Sequence, residues 1–318
     1  MPELEIQPFS KEHLDAAAGL LEQRHARHVE AEPLLAKEVD FRAEIEALLA
    51  REGASGVVAI RDGRPVGYLL GVRRDDEVWG PNIWVEAAGS AVEEPEDLRD
   101  LYAAVAGDWV DQGRTGHYAL VPAHDAGLVD AWFRVGFGGQ HAHGIQEVPP
   151  RTEVRTPPGV EIRPPSEDEV EELIAVDLAL PEHQAKAPVF STRPPPSREE
   201  SRKEWLETLA GDEEHVLIGY LEGQPVACWA YVPLERSSEH TGLTRAENAA
   251  FLGFASTLPE ARGSGIGLAL TDAGFVWASE QGYSVMVTDW RETNLLASRF
   301  WPRRGFRRTF LRLYRSIP

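Results

Sequence analysis

The chain reads as an α+β protein made of two similar halves, each a sandwich-like layering of helices on a mixed, mostly antiparallel sheet. Three observations predict this. The openings repeat: Glu5-Ile6-Gln7-Pro8-Phe9-Ser10 parallels Glu161-Ile162-Arg163-Pro164-Pro165-Ser166, and a helical pattern follows each, Lys11 to Ala26 and Glu167 to Ala179. Two hairpins repeat, each a strand, an acid-Gly turn and a second strand: Val57 to Tyr68 around Asp62-Gly63, and Val216 to Ala227 around Glu222-Gly223. Acid-Gly pairs suit tight hairpin turns, where both central residues need positive φ. The closing segments also match, Trp132-Phe133-Arg134-Val135-Gly136-Phe137 against Trp301-Pro302-Arg303-Arg304-Gly305-Phe306, and Trp132 lies 169 residues before Trp301. Within a half, the order strand-helix-helix-strand-strand-strand-helix-strand-helix-strand is that of an α+β layer fold.

The boundary between the halves is also legible. Glu147 to Gly159 is rich in Pro and lacks periodicity, which reads as a stiff linker. The expected division is residues 1–148 as one domain, 149–158 as linker and 159–318 as the second domain. A length of 318 residues suits two domains.

Composition removes several function classes. Against 32 Lys+Arg stand 52 Asp+Glu, a formal charge of −20, and a field of that sign repels nucleic acid. No apolar run approaches the ~20 residues of a membrane span. Met1-Pro2-Glu3-Leu4-Glu5 shows neither a basic nor an apolar leader pattern. Cys228 is the only cysteine, so no intrachain disulfide forms; it sits in the strand-like run Val226 to Ala230 and reads as a small core residue. His141-Ala142-His143 has no acid or Cys at ligand spacing nearby, so no metal is expected. The expectation is a soluble, cytoplasmic protein, and nothing in the sequence implies an oligomer.

The most chemical stretch is Leu258-Pro259-Glu260-Ala261-Arg262-Gly263-Ser264-Gly265-Ile266-Gly267-Leu268. It joins the apolar strand Ala249 to Ala255 to a helical pattern, Ile266 to Gln281. A glycine-bearing turn at a helix start leaves several backbone N–H groups converging where the helix dipole is positive, which favours a phosphate or pyrophosphate. Gly263, Gly265 and Gly267 allow close backbone approach, and Arg262 adds a charge-assisted donor. From Arg291 onward there are eight Arg and one acid, Glu292. Salt bridges account for such a run, and so does phosphate binding.

The spacing Arg-x-x-Gly-x-Gly resembles the acyl-CoA pyrophosphate loop of the GNAT superfamily of N-acyltransferases. Downstream, Asn294, Ala297, Gly305 and Phe306 match that family's Asn-x-x-Ala-x-x-x-Tyr-x-x-x-Gly-Phe pattern, with Asn294 as the expected N-cap of a helix to Trp301. Each half is thus similar to one GNAT domain. The resemblance implies acetyl-CoA as co-substrate, held by Ser256, Thr257, Leu258, Arg262, Gly263, Ser264, Gly265, Ile266, Gly267 and Asn294. The family's thioester-oxygen donor lies near Ser256, Thr257 or Leu258, beside a splayed strand pair. Glu247 or Asp289 is the implied general base.

Trp301 stands where relatives carry Tyr. Its indole N–H is a donor and not a usable acid, so it either polarises the leaving thiolate or is a core aromatic. The implied function is transfer of an acetyl group to a primary amine of a small molecule or peptide. The alternatives are a non-catalytic acyl-CoA sensor and an acyltransferase like the tandem-domain mycothiol synthases. No Arg-x-x-Gly-x-Gly occurs in residues 80–110, where Glu93, Glu94, Glu96 and Asp97 gather around Pro95. The first half is therefore expected not to bind acyl-CoA.

Overall fold

Chain order begins with β1 (Glu5–Pro8), α1 (Leu14–Ala31), α2 (Phe41–Leu49), β2 (Ala54–Arg61), β3 (Arg64–Asp76), β4 (Gly80–Val85), β5 (Ser90–Val92), α3 (Pro95–Asp111), β6 (Gly116–Pro122), α4 (Ala126–Arg134) and β7 (Gly138–Glu147). It continues with β8 (Val160–Arg163), α5 (Val170–Gln184), α6 (Arg198–Ala210), β9 (His215–Leu221), β10 (Gln224–Pro233), β11 (Ala249–Thr257), α7 (Ile266–Glu280), β12 (Val285–Arg291), α8 (Ala297–Arg303) and β13 (Arg307–Ser316). The computed structural model describes residues 4–76, 78–150, 153–211 and 214–318. Met1 to Glu3, and Arg151 and Thr152 of the linker, lie outside the described residues.

The two hairpins form as their turns dictate. Asp62 and Gly63 take φ 52 and 75, and Glu222 and Gly223 take φ 51 and 82. This is the doubly left-handed turn whose twist matches that of flanking strands. α5 runs past the expected end at Ala179, through Pro181, to Gln184. That extra turn carries residues of the site described below.

Two compact units divide the chain. The first takes Met1–His143, Thr241–Arg245 and Arg308–Pro318; the second takes Gly144–His240 and Ala246–Arg307. In the first, the order is β1-β2-β3-β4-β6-β13, with β5 beside β3. Neighbours are antiparallel except β4 and β6. The last strand of the chain thus completes the first unit, from Phe310 opposite Pro122 to Ser316 opposite Gly116. Sequence adjacency gave no hint of this, because strand pairing is decided by which exposed edge is apolar and available. Phe310 and Leu313 are fully buried there. They join the cores that hold Leu14, Leu21 and Tyr68, and Trp109 and Trp132.

In the second unit the order is β8-β9-β10-β11-β12, antiparallel except the parallel pair β11–β12. Its core lies under α5, where Leu173, Ile174 and Val176 pack on Ile218, Tyr220 and Cys228. Arg163 holds Glu169 at 2.6 Å, and Tyr220 donates to the same carboxylate at 2.8 Å. The guanidinium bond drops the Glu169 carboxyl to about 2, which ties β8 to the start of α5. Among the described residues, no helix is long and apolar enough to cross a membrane.

Candidate functional site

β11 sits between β10 and β12 but stays with only one of them. Its parallel ladder with β12 runs from Ala249–Val285 to Leu252–Thr288 and stops. Its antiparallel ladder with β10 continues to Thr257–Ala227, after a register shift that leaves Gly253 as the extra residue between Leu252 and Phe254. A bulge bends its strand and increases the local twist, so β11 parts from β12 at that point. Beyond it, one edge of β11 has no ladder partner.

The free backbone groups on that edge can be assigned by alternation. The Leu258 N–H donates to the Val226 carbonyl at 2.9 Å, toward β10. Amides two apart point the same way along a strand, so Ser256 also faces β10, while Ala255 and Thr257 face the opening. Leu258 is therefore not available as a donor, because its N–H is already spent on Val226. The Ser256 hydroxyl is committed as well, donating to the Val176 carbonyl at 2.6 Å.

The strand leads into the loop. Pro259–Ala261 makes a single tight turn, and the chain then passes Gly263 and Gly265, at φ 84 and 87, before α7 begins at Ile266. Gly265 caps α7 with no side-chain hydrogen bond. Of the first-turn amides of α7, that of Ile266 donates to the Ser264 hydroxyl at 3.4 Å, and Gly265 itself offers no capping side chain to the others. The Ser264 hydroxyl turns back to the Ala261 carbonyl at 2.7 Å.

A cavity of about 450 Å³ opens over this loop. Ala255, Ser256 and Thr257 of β11 line it, as do Arg262, Gly263, Gly265, Ile266 and Gly267. Asn294 and Trp301 complete the predicted residues found there. Ser264 and Leu258 are not on its wall. Asn294 is buried, and its side-chain oxygen accepts from the N–H of Leu296 at 3.1 Å and of Ala297 at 3.4 Å. It therefore caps the turn ahead of α8, and not the helix itself as expected, because the N-cap position of α8 is Leu296.

Trp301 is 5% exposed, its ring 5.3 Å from that of Trp229 and 5.5 Å from that of Phe306. It is both a packed aromatic and part of the cavity wall. Glu247 is not near this site. It is exposed just before β11, whereas the cavity lies at the far end of that strand. The six steps from Ala249, where the strand begins, to Ala255 alone span about 20 Å at ~3.3 Å each. Asp289 is half-buried, the first residue of β12 past the last ladder pair, at the fork but not on the cavity wall.

Sequence reading did not place His183, Trp229 or Phe300 at the site, whereas Arg304 belongs to the arginine run that reads as salt-bridged or phosphate-binding. His183 comes from the extra turn of α5, on one helical face with Ala179 and Leu180, and lies 3.3 Å from the Asn294 side-chain oxygen. Its helical spacing from Leu180 was the available signal, but the helical pattern read from the sequence stops at Ala179.

The wall is rich in donors. It carries two arginines, and among the described residues no carboxylate lines it. Two buried donor atoms on it, Trp229 Nε1 and Arg304 Nε, have no hydrogen-bond partner. Leu268 and Leu296, 42% and 48% exposed, form an apolar rim.

A second cavity, about 330 Å³, lies on the other face of β10 and β11. Cys228, Ala230 and Phe254 line it, whereas Trp229 and Ala255 line the first, as alternation across a strand requires. Asp177, Glu204, Glu207, Glu214 and Trp205 complete its wall. Burial raises the Asp177 carboxyl, and the Ser201 hydroxyl donates to it. Burial also pushes the Cys228 thiol up, which removes it as a nucleophile.

Residues 179–306 match the model of the acetyltransferase (GNAT) family. This part of the chain is similar to a GNAT domain. No curated protein sequence matches the chain. Among solved structures, a GCN5-related N-acetyltransferase from Sphaerobacter thermophilus superimposes with TM-score 0.59 at 14% identity, covering 98% of this chain and 95% of its own. The glucosamine N-acetyltransferase region of a fungal multi-domain GH3 β-N-acetylglucosaminidase superimposes with TM-score 0.54 at 15% identity; 99% of this chain is covered, against 38% of that longer protein. These likenesses establish the fold across both halves.

Proposed function

We propose that the second unit transfers an acetyl group from acetyl-CoA to a primary amine. The observation that carries this reading is the coincidence of the β11–β12 fork with the uncapped, glycine-turned start of α7 on one donor-rich cavity. A ligand that fits must offer anionic acceptors at the loop and an extended arm toward the fork. The buried, unpartnered donors on the wall fit a group of that kind.

On this reading the amides of Gly263, Gly265 and Gly267, with Arg262, hold the pyrophosphate, since those of Ser264 and Ile266 already donate to the Ala261 carbonyl and the Ser264 hydroxyl. Asn294 and the apolar rim hold the arm. The outward amides of Ala255 and Thr257 face the thioester and provide a fixed donor where negative charge develops. When bound, acetyl-CoA supplies the activated acyl group. The protein supplies alignment, which contributes much of the rate in such a transfer. Trp301, held by Trp229 and Phe306, excludes water and gives up no proton.

The amine enters through the second cavity, on the opposite face of β11. Four carboxylates beside Trp205 and Phe254 favour a cationic acceptor, by charge and by cation–π contact. Deprotonation then falls to Asp289, at the fork.

The first unit serves as a degenerate copy. Its counterpart of the fork is occupied by its own side chains: buried Arg24 donates to the carbonyls of Ser90 and Ala87, and the Tyr68 hydroxyl donates to Ala88 at 2.8 Å. At the start of α3, Glu93 and Asp97 pair with Arg64 and Arg61 where an anion would otherwise sit.

Thiol release from acetyl-CoA, followed against a panel of mono- and polyamines, tests the reaction. Turnover that rises with acceptor charge supports the reading. Tight acetyl-CoA binding without amine-dependent thiol release contradicts the enzymatic part of it.

A further inference from the structure

Resting on the acyl-CoA reading, we infer that Arg304 is the residue that recognises the 3′-phosphate of the coenzyme. Eight arginines lie between Arg291 and the C-terminus, and of these only Arg304 lines the cavity. Others in the run are engaged elsewhere: Arg307 with Glu147 at 2.8 Å, Arg312 with Gln140 at 2.9 Å, and Arg315 with the Val135 carbonyl at 2.6 Å.

Arg304 differs in kind. It is half-buried, its Nε is buried without a hydrogen-bond partner, and among the described residues no carboxylate pairs with it. Arg299 and Arg303 also lack an ion pair among the described residues, but both are exposed and neither lines the cavity. Its guanidinium carbon sits 5.7 Å from the centre of the Phe300 ring, which also lines the cavity. That contact steadies the fork of N–H groups without using them.

The choice among phosphates follows from position. The pyrophosphate already has the loop amides, the α7 dipole and Arg262. Arg304 comes from a different element, the end of α8, and needs a different anion. The coenzyme has one more, the 3′-phosphomonoester, and a planar guanidinium suits a terminal phosphate.

Affinities of the full-length protein for CoA and for 3′-dephospho-CoA, measured by calorimetry, test this. Arg304→Ala is expected to weaken CoA about tenfold, in line with loss of a charge-assisted contact, and to leave 3′-dephospho-CoA unchanged. Arg304→Lys, which keeps the charge but not the fork, should fall between. An equal loss on both ligands would move Arg304 to the pyrophosphate and overturn the assignment, as would an unchanged affinity for CoA. Melting temperatures show whether the alanine variant is folded; if it is not, the lysine variant decides on the same two ligands. Wild-type protein that binds neither ligand would reject the acyl-CoA reading itself, and the Arg304 assignment with it. Wild-type binding that Arg304→Ala leaves intact would reject the assignment alone.

Discussion

Gly265 shows how one residue sets the chemistry of this site. Its φ of 87 is open to glycine and strained for other side chains, and a Cβ there would lie 3.0 Å from the Pro157 ring. Glycine is thus what allows α7 to begin with no capping side chain at position 265 and to leave the amides of Gly265 and Gly267 for a ligand. Gly265→Ala should therefore weaken acetyl-CoA by at least about tenfold, through backbone strain of ~1–3 kcal/mol at the loop. Calorimetry on the variant checks this, and an unchanged affinity would mean that the loop is only a connector. The spacing of Arg262, Gly263 and Gly265 made this part of the site readable from sequence, because a turn motif is local. Arg304 and Trp229 were not readable in that way. They reach the wall through the packing of α8 and the register of β10, which no local pattern encodes.

Among the elements, β11 and β13 carry the main lessons. The fork at β11 was expected near Ser256 to Leu258, and the bulge that opens it lies a few residues earlier, at Gly253. A glycine inside an apolar strand is a known sign of a bulge, so that signal was present and unread. Leu258 failed as a donor because strand alternation turns its amide toward β10. β13 is a stronger departure. Sequence similarity between the closing segments assigned it to the second half, yet its residues from Arg308 onward complete the first unit against β6.

Removal of residues 308–318 should accordingly damage the first unit. It takes the fully buried Phe310 and Leu313 out of two cores and exposes the β6 edge. Losses of several kcal/mol are expected from two such side chains alone, enough to unfold a marginal domain. Hydrogen exchange on the truncated protein, followed at Tyr118 to Val121 of β6, checks the outcome. Full retention of protection there would contradict the assignment of β13.

For the whole molecule, the architecture is on the proposed reading a duplication, and the division of labour a loss in the first copy. Both units keep the acid-Gly hairpin, the parallel strand pair and the closing aromatic helix. The glycine loop Arg262 to Gly267 has no counterpart in residues 80–110. In the first unit, Arg24 donates to the carbonyls of Ser90 and Ala87 and Tyr68 to that of Ala88, and two Arg–carboxylate pairs sit at the start of α3. Repeats and hairpins were legible in the sequence because they depend on short-range patterns. What fills a cleft depends on residues distant in sequence, such as Arg24 opposite Ser90, and became visible only in three dimensions.

The most direct measurement is a calorimetric titration of the full-length protein with acetyl-CoA. The account predicts saturable binding with one site per chain. A stoichiometry of two would contradict the closed first unit, and no binding at all would contradict the account at its centre.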